Sequence, residues 1–384
     1  MFNNPFTPIF GGKPGFFFGR KPLIERFERG LDVRGSEDRA LFVTGTRGCG
    51  KTTLVEHLSQ CARDKGWKTI DVNAENALNS LFRQLAHADT QSTTIEPQVS
   101  INILGSGASA GGSGTTKTAH YTVDDLDTLM LATCEKASKG LFISIDEIQK
   151  VPLDDVSRIC GAFQMASRKG HDVVLVIAGL PMAYDRIIHH DGCTYMRRCV
   201  HEELGLFTRE EVSNALAEAF VGVKNLSIES DALNKLVSLS SGHPYMTQLL
   251  GYYSVEYADQ HEQRGKYRLT LPDVEIIYPV VLSTYERRSL QPLLDAMSEG
   301  ELAYLRAVAS VMDKTHVAKT GDIARAMGKS PQQAAPYRQS LLDEGVILSV
   351  KRGFVRFNVP YLRGYVLKTP AGSPQVDLAQ EWDV

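Results

Sequence analysis

Four things are scarce in this chain of 384 residues, and each absence removes a class of function. No run of about 18 uninterrupted apolar residues occurs, so a membrane-spanning helix is not expected. The first twenty residues hold aromatics, Pro and Gly but no basic stretch leading into an apolar core, so a secretory leader is not expected either. The six cysteines, Cys49, Cys61, Cys134, Cys160, Cys193 and Cys199, never form a Cys-x-x-Cys pair. That spacing argues against a disulfide framework or a thiolate metal site and fits a reducing cytoplasm. The formal net charge is only −3, so any nucleic-acid surface has to be local rather than a property of the whole molecule.

What is present is apolar residue in quantity: 43% of the chain is hydrophobic, enough for two or three packed domains. The order of patterns divides the sequence into a Pro/Gly/Phe-rich lead-in (1–20), an α/β region (21–207), a helical region (208–297), a compact unit (298–368) and a tail (369–384). In the α/β region, apolar runs at Ala40–Thr44, Lys68–Val72, Leu141–Ile145 and Val173–Ile177 alternate with amphipathic helical stretches. That alternation predicts a parallel sheet with both faces covered by helices. Between the second and third runs, residues 104–118 contain Gly105–Gly114, a Gly/Ser/Ala tract that reads as a flexible surface loop or one that touches a substrate. The preceding Val99–Ile103 alternates like an exposed strand and suggests an inserted hairpin.

Gly45-Thr46-Arg47-Gly48-Cys49-Gly50-Lys51-Thr52 is a complete P-loop pattern, placed after the first apolar run and before a helix expected from Thr52. Glycines let such a loop turn its amides inward around phosphate oxygens, and the helix N-terminus adds positive potential. Lys51 is expected to reach the β- and γ-phosphates, the Thr52 hydroxyl to ligate Mg²⁺, and Thr53 to complete the ATP/ADP site. About 90 residues later, Leu141–Ile145 ends in adjacent carboxylates. Asp146 is then the candidate for holding Mg²⁺ and Glu147 the candidate for polarising the attacking water. Cys49, beside Lys51 and a helix start, is expected to have a lowered thiol pKa and to be shielded from alkylation by bound ATP.

On these motifs the chain is similar, over nearly its whole length, to the origin-recognition-like and archaeal-type ATPases at the border between AAA+ proteins and the STAND switch ATPases. The resemblance implies a P-loop sheet of AAA+ type, then an all-α lid and a winged helix. It makes Asn4–Pro8 and Phe18, Gly19 and Arg20, ahead of a helix over Pro22–Leu31, the segment lying against the adenine. It places an arginine finger in Thr194–Cys199, Arg198 by register in preference to Arg197, and hence a nucleotide-dependent homo-oligomer. Ser241–Tyr245 resembles the Gly-x-Pro motif of STAND lids, with Pro244 near the nucleotide and His243 read as a turn residue. Two departures from the family stand out. The fourth strand ends in Ala178 and Gly179, where a polar sensor is usual, and Tyr245 and Met246 replace a lid arginine. Both argue for slow hydrolysis.

The unit from 298 to 368 reads as a winged helix, with helices at Glu299–Met312, Gly321–Met327 and Pro331–Glu344 and strands at Val346–Val350 and Phe354–Asn358. From Glu299 to Lys368 there are eleven Lys/Arg against six Asp/Glu, a basic excess of the kind that contacts phosphate. Lys329, Arg338, Lys351, Arg352 and Arg356 are the candidate contacts to double-stranded DNA, while the Gln-rich third helix offers little for base edges. Three functions follow. One is an ATP hydrolase that couples nucleotide state to DNA or a partner. The second is a slow switch whose winged helix meets a protein. The third, a regulator with a degenerate site, conflicts with intact Lys51, Thr52, Asp146 and Glu147, and a kinase lacks any evident phosphate-acceptor site.

Overall fold

A computed structural model describes residues 2–8, 17–90 and 125–368. The Gly/Ser tract, the proposed hairpin at Val99–Ile103 and the tail 369–384 lie outside the described residues.

Five strands, β1 (Ala40–Gly45), β2 (Lys68–Val72), β3 (Leu141–Ile145), β4 (Val173–Gly179) and β5 (Val200–Leu204), form one parallel sheet in the order β2-β3-β4-β1-β5. Every residue of β3 and β4 is buried, because helices cover both faces and neither face needs polar residues. On one face α1 (Lys21–Asp32) and α2 (Lys51–Asp64) cover Leu41, Val43, Phe142, Val174 and Val176. On the other, α3 (Ala77–Thr90), α4 (Leu126–Lys136), α5 (Leu153–Arg168) and α6 (Pro181–Ile188) cover Phe42, Ile143, Leu175 and Ile177. Alternate residues of one strand thus feed opposite layers, each large aliphatic side chain contributing about 1.5–3 kcal/mol by leaving water. The P-loop follows β1, beside the central strand β4, and Asp146 and Glu147 follow β3 on the other side of β4.

A helical lid follows: α7 (Arg209–Val221), α8 (Ser230–Ser240), α9 (Pro244–Gln260), α10 (Leu271–Tyr285) and α11 (Gln291–Asp295). A capping box opens α7, with the Glu211 amide donating to the Thr208 hydroxyl and the Glu211 carboxylate accepting from the Thr208 amide. The lid is not helical throughout. Three-residue strands β6 (Leu226–Ile228) and β7 (Tyr267–Leu269) pair in parallel across it, and a π-helical turn, Glu286–Leu290, joins α10 to α11.

The last unit comprises α12 (Glu299–Val311), β8 (Ala318–Lys319), α13 (Thr320–Ala326), α14 (Pro331–Asp343), β9 (Ile347–Lys351), β10 (Phe354–Phe357) and α15 (Leu362–Leu367). Three helices and a sheet in the order β8-β10-β9 make a winged-helix arrangement. It differs from the sequence expectation in having a third strand, β8, and in closing on α15. Among the described residues no helix is long and apolar enough to cross a membrane.

Candidate nucleotide site

A pocket of about 1120 Å³ opens where the P-loop, the lead-in, the lid and the winged helix meet. Its polar wall contains Arg47, Lys51, Thr52 and Glu147, and its apolar wall contains Phe17, Phe18 and Pro244. Helix α2 starts at Lys51, one residue earlier than expected, because Gly50 takes the left-handed cap conformation (φ 93°, ψ 20°) that a side chain disfavours. Lys51 is buried, and its Nζ donates to the carbonyls of Gly45 (2.9 Å) and Thr46 (2.8 Å), which holds the ammonium across the mouth of the loop.

The Thr52 hydroxyl donates to Asp146 Oδ2 at 2.5 Å, so the two sequence motifs converge on one point. A hydroxyl and a carboxylate side by side are the hard oxygen donors that Mg²⁺ prefers. Among the described residues no cluster of three or more His, Cys, Asp or Glu could cage a metal. The pair therefore fits a cation that draws its remaining ligands from phosphate and water. Asp146 Oδ1 also accepts from the Glu147 amide at 2.8 Å. Glu147 itself sits in the left-handed region (φ 54°, ψ 39°), a conformation costly for a side chain with a Cβ and frequent at functional sites.

The lead-in divides. Phe17 stacks on His57 of α2 (4.3 Å between ring centroids), and Phe18 packs on Phe207. The Arg20 guanidinium lies over the Phe207 ring at 4.5 Å and donates to the Gly205 carbonyl, while a Cβ at Gly19 would fall 2.4 Å from the same ring. Phe17, Phe18 and Arg20 line the pocket. Phe17 was not singled out in the sequence; its place next to Phe18, before the helix, was the available signal.

Two readings of individual residues change. Cys49 is fully buried, and burial pushes its thiol pKa up, outweighing the cations Lys51 and Arg20 that pull it down. The activated thiol expected from local sequence is therefore not formed. His243 is more than a turn residue. Its Nδ1 accepts from the Met246 amide, capping α9 with Pro244 at the first helical position. Its ring packs against the P-loop so closely that a Cβ on Gly48 would fall 2.6 Å from Nε2. Burial pushes its pKa down to about 4, so the imidazole is neutral where it meets the loop.

Ala178 and Gly179 close β4 with no polar side chain, yet a polar group does reach that point. The Gln149 side-chain carbonyl accepts from the Leu180 amide, and its amide donates to Glu147. Arg198 lies outside the pocket, exposed at the end of a 3₁₀ segment (Asp191–Arg198), and makes no hydrogen bond or ion pair among the described residues. Arg197 instead donates to the Ile188 carbonyl. Of the basic winged-helix residues, Lys329, Lys351, Arg352 and Arg356 are exposed. Arg338 is half-buried, its guanidinium 3.5 Å from the Ser349 hydroxyl.

No curated protein matches the chain. Among solved structures it is similar to Aeropyrum pernix ORC2 in ADPNP–ADP complexes, at 17% identity and TM-score 0.60, covering 95% of this chain and 97% of that one. Pyrobaculum aerophilum Cdc6p follows at 15% identity and TM-score 0.49, covering 90% and 92%. At 17% identity the likeness to ORC2 shows a shared fold. Residues 288–366 match a domain of unknown function (DUF8462). Residues 17–177 match the AAA ATPase domain family, and this region is followed in order by the helical lid and the winged-helix arrangement, a fold shared with ORC2.

Proposed function

We propose that the protein binds Mg-ATP in this pocket, hydrolyses it, and passes its nucleotide state to DNA or a partner through the winged helix. One observation carries the reading: the pocket that joins Lys51, Thr52 and Glu147 is also walled by His243 and Pro244 of the lid and by Val359 of the winged helix. Three units thus share one nucleotide-sized space, and a change in its contents is felt by all of them. Lys51 binds phosphate charge, and Thr52 and Asp146 hold the cation, whose charge would neutralise the phosphate oxygens. Glu147 orients water. Arg198, exposed and outside the pocket, is the residue offered to a neighbouring copy.

On the DNA side, the exposed cations gather on the wing (Lys351, Arg352, Arg356), with Lys319 on β8 beside them through its pairing with Phe354. Such a surface reads backbone phosphate rather than sequence. A second reading, a slow switch engaging a protein, is favoured by α14. It exposes neutral Gln332, Gln333, Ala335 and Gln339 and acidic Asp343, and its one arginine is half-buried.

Steady-state ATP turnover at several protein concentrations, with and without duplex DNA at fixed salt, separates the two. Turnover rising with both supports a trans-acting Arg198 and a DNA-coupled cycle. Slow turnover indifferent to both supports the switch. Lys51→Ala abolishes nucleotide binding under either reading, and Glu147→Gln preserves binding while stopping turnover.

A further inference from the structure

The polar contact missing from the end of β4 is supplied from the opposite direction. Gln149 lies in the 3₁₀ turn Ile148–Lys150 that directly follows Glu147. Its Nε2 donates to Glu147 Oε2 at 2.8 Å, and its Oε1 accepts from the Leu180 amide at 3.2 Å, one residue beyond β4. The amide orientation is fixed by these partners, since the reverse would set a carbonyl against a carboxylate and an NH₂ against an N–H. Lys150 Nζ approaches the same Glu147 oxygen at 3.7 Å. The carboxylate is therefore held by an amide and an ammonium while its backbone is held left-handed.

Gly179 belongs to this arrangement. A Cβ there would fall 2.6 Å from Ile148 Cγ2 and 2.9 Å from Gln149 Oε1. A sensor side chain at position 179 and Gln149 in its bridging position exclude each other. The glycine is the space that the glutamine occupies.

We infer that Gln149 is a positioning residue for Glu147: it fixes the rotamer of the water-polarising carboxylate and ties it to the end of β4, in place of a sensor carried on that strand. The inference rests on the proposed role of Glu147. Gln149 makes and breaks no bond. It removes freedom from a side chain that otherwise samples several rotamers beside water.

The test uses the full chain and two substitutions. Gln149→Met keeps the side-chain length and removes both hydrogen bonds. Gln149→Glu keeps an acceptor for the Leu180 amide and turns the donor facing Glu147 into a second carboxylate. For Gln149→Met, kcat falls about 10- to 100-fold, as for the loss of a hydrogen bond to a charged group. The ATP Kd, read with a fluorescent nucleotide, stays within about twofold. For Gln149→Glu, which sets a second carboxylate against Glu147, kcat falls at least as far while the ATP Kd again stays within about twofold.

Parent-like turnover by Gln149→Met, alongside an inactive Glu147→Gln, overturns the inference and leaves the proposed function standing. Equal losses of turnover and ATP affinity in both variants overturn it in favour of a structural pin. A parent protein whose turnover is unaffected by Glu147→Gln removes the proposed catalytic role and this inference together.

Discussion

The two halves of the molecule bury their apolar residues on different plans. In the ATPase half the sheet is a partition: Phe42 and Ile143 belong to one cluster, and Val43 and Phe142, their chain neighbours, belong to another. In the C-terminal half there is no partition. One cluster runs from Val212 and Leu216 of the lid through Leu290, Leu293 and Met297 to Tyr304, Val355 and Leu362 of the winged helix. Tyr361 knits it further, its hydroxyl bonded to Ser241 and the Leu239 carbonyl and its ring against Tyr285. The lid and winged helix are thus one packed body, and the sheet is another. They meet at the nucleotide pocket, through contacts as small as His243 on Gly48.

The largest expected effect strikes the undivided core. Tyr361→Ala removes a fully buried aromatic ring and should cost about 3–5 kcal/mol. In calorimetry it should lower the melting of lid and winged helix together; separate melting of the two would break the comparison. Phe6→Ala, at the edge of the same cluster, should cost roughly 2–4 kcal/mol, towards the low end because a terminal segment collapses more easily. Chemical denaturation followed by tyrosine fluorescence checks it. Tyr361→Phe keeps the ring but leaves the Leu239 carbonyl without its donor, at about 1–2 kcal/mol.

Smaller, and sharper, is a pH effect at the seam between the bodies. His243 has a folded pKa near 4 against an ordinary value of 6.5, so the unfolded chain binds the extra proton between those values. The stability that the neutral imidazole supports is complete above pH 6.5 and is lost as pH falls towards 4. His243→Asn keeps an N-cap acceptor without titrating, so the drop in Tm from pH 7 to pH 5 should be smaller than in the parent. Asp172, held at about 2 by Arg34 and Arg39, loses its contribution only below its ordinary value of 3.8 and does not confuse that window. The smallest effect concerns Cys49, whose buried thiol should alkylate at least about tenfold more slowly than a peptide thiol at pH 7.5. Mass spectrometry of the labelled protein measures this.

What the sequence showed and what it hid follow the same division. β2 and β3 match the apolar runs residue for residue, and β1 and β4 extend them only to Gly45 and Gly179; in β3 and β4 burial on both faces is carried in the composition. The P-loop and the Asp146–Glu147 pair were legible for a related reason: their chemistry is local. Gln149 was not, because a glutamine becomes a bridge only when the end of β4 lies beside it. Cys49 was misjudged through tertiary burial, and the packing of His243 on Gly48 was hidden for the same reason, because no neighbour in the sequence reports either. Strands β6 and β7 are three residues each, too short for alternation to register.

The lead-in holds a final consequence. Its first part belongs to the lid: the Phe2 amide donates to Asp259, Asn4 to the Tyr252 carbonyl, the Thr7 amide to Gln248, and Phe6 is buried in the lid cluster. At its other end Phe17 packs with the sheet body and stacks on His57 of α2, while Phe18 packs on Phe207 of the lid cluster. The two described parts of the lead-in are thus anchored one on each body. Nine residue steps separate Pro8 from Phe17, and a chain of that length reaches at most roughly 30 Å, so the two anchors cannot part further than that.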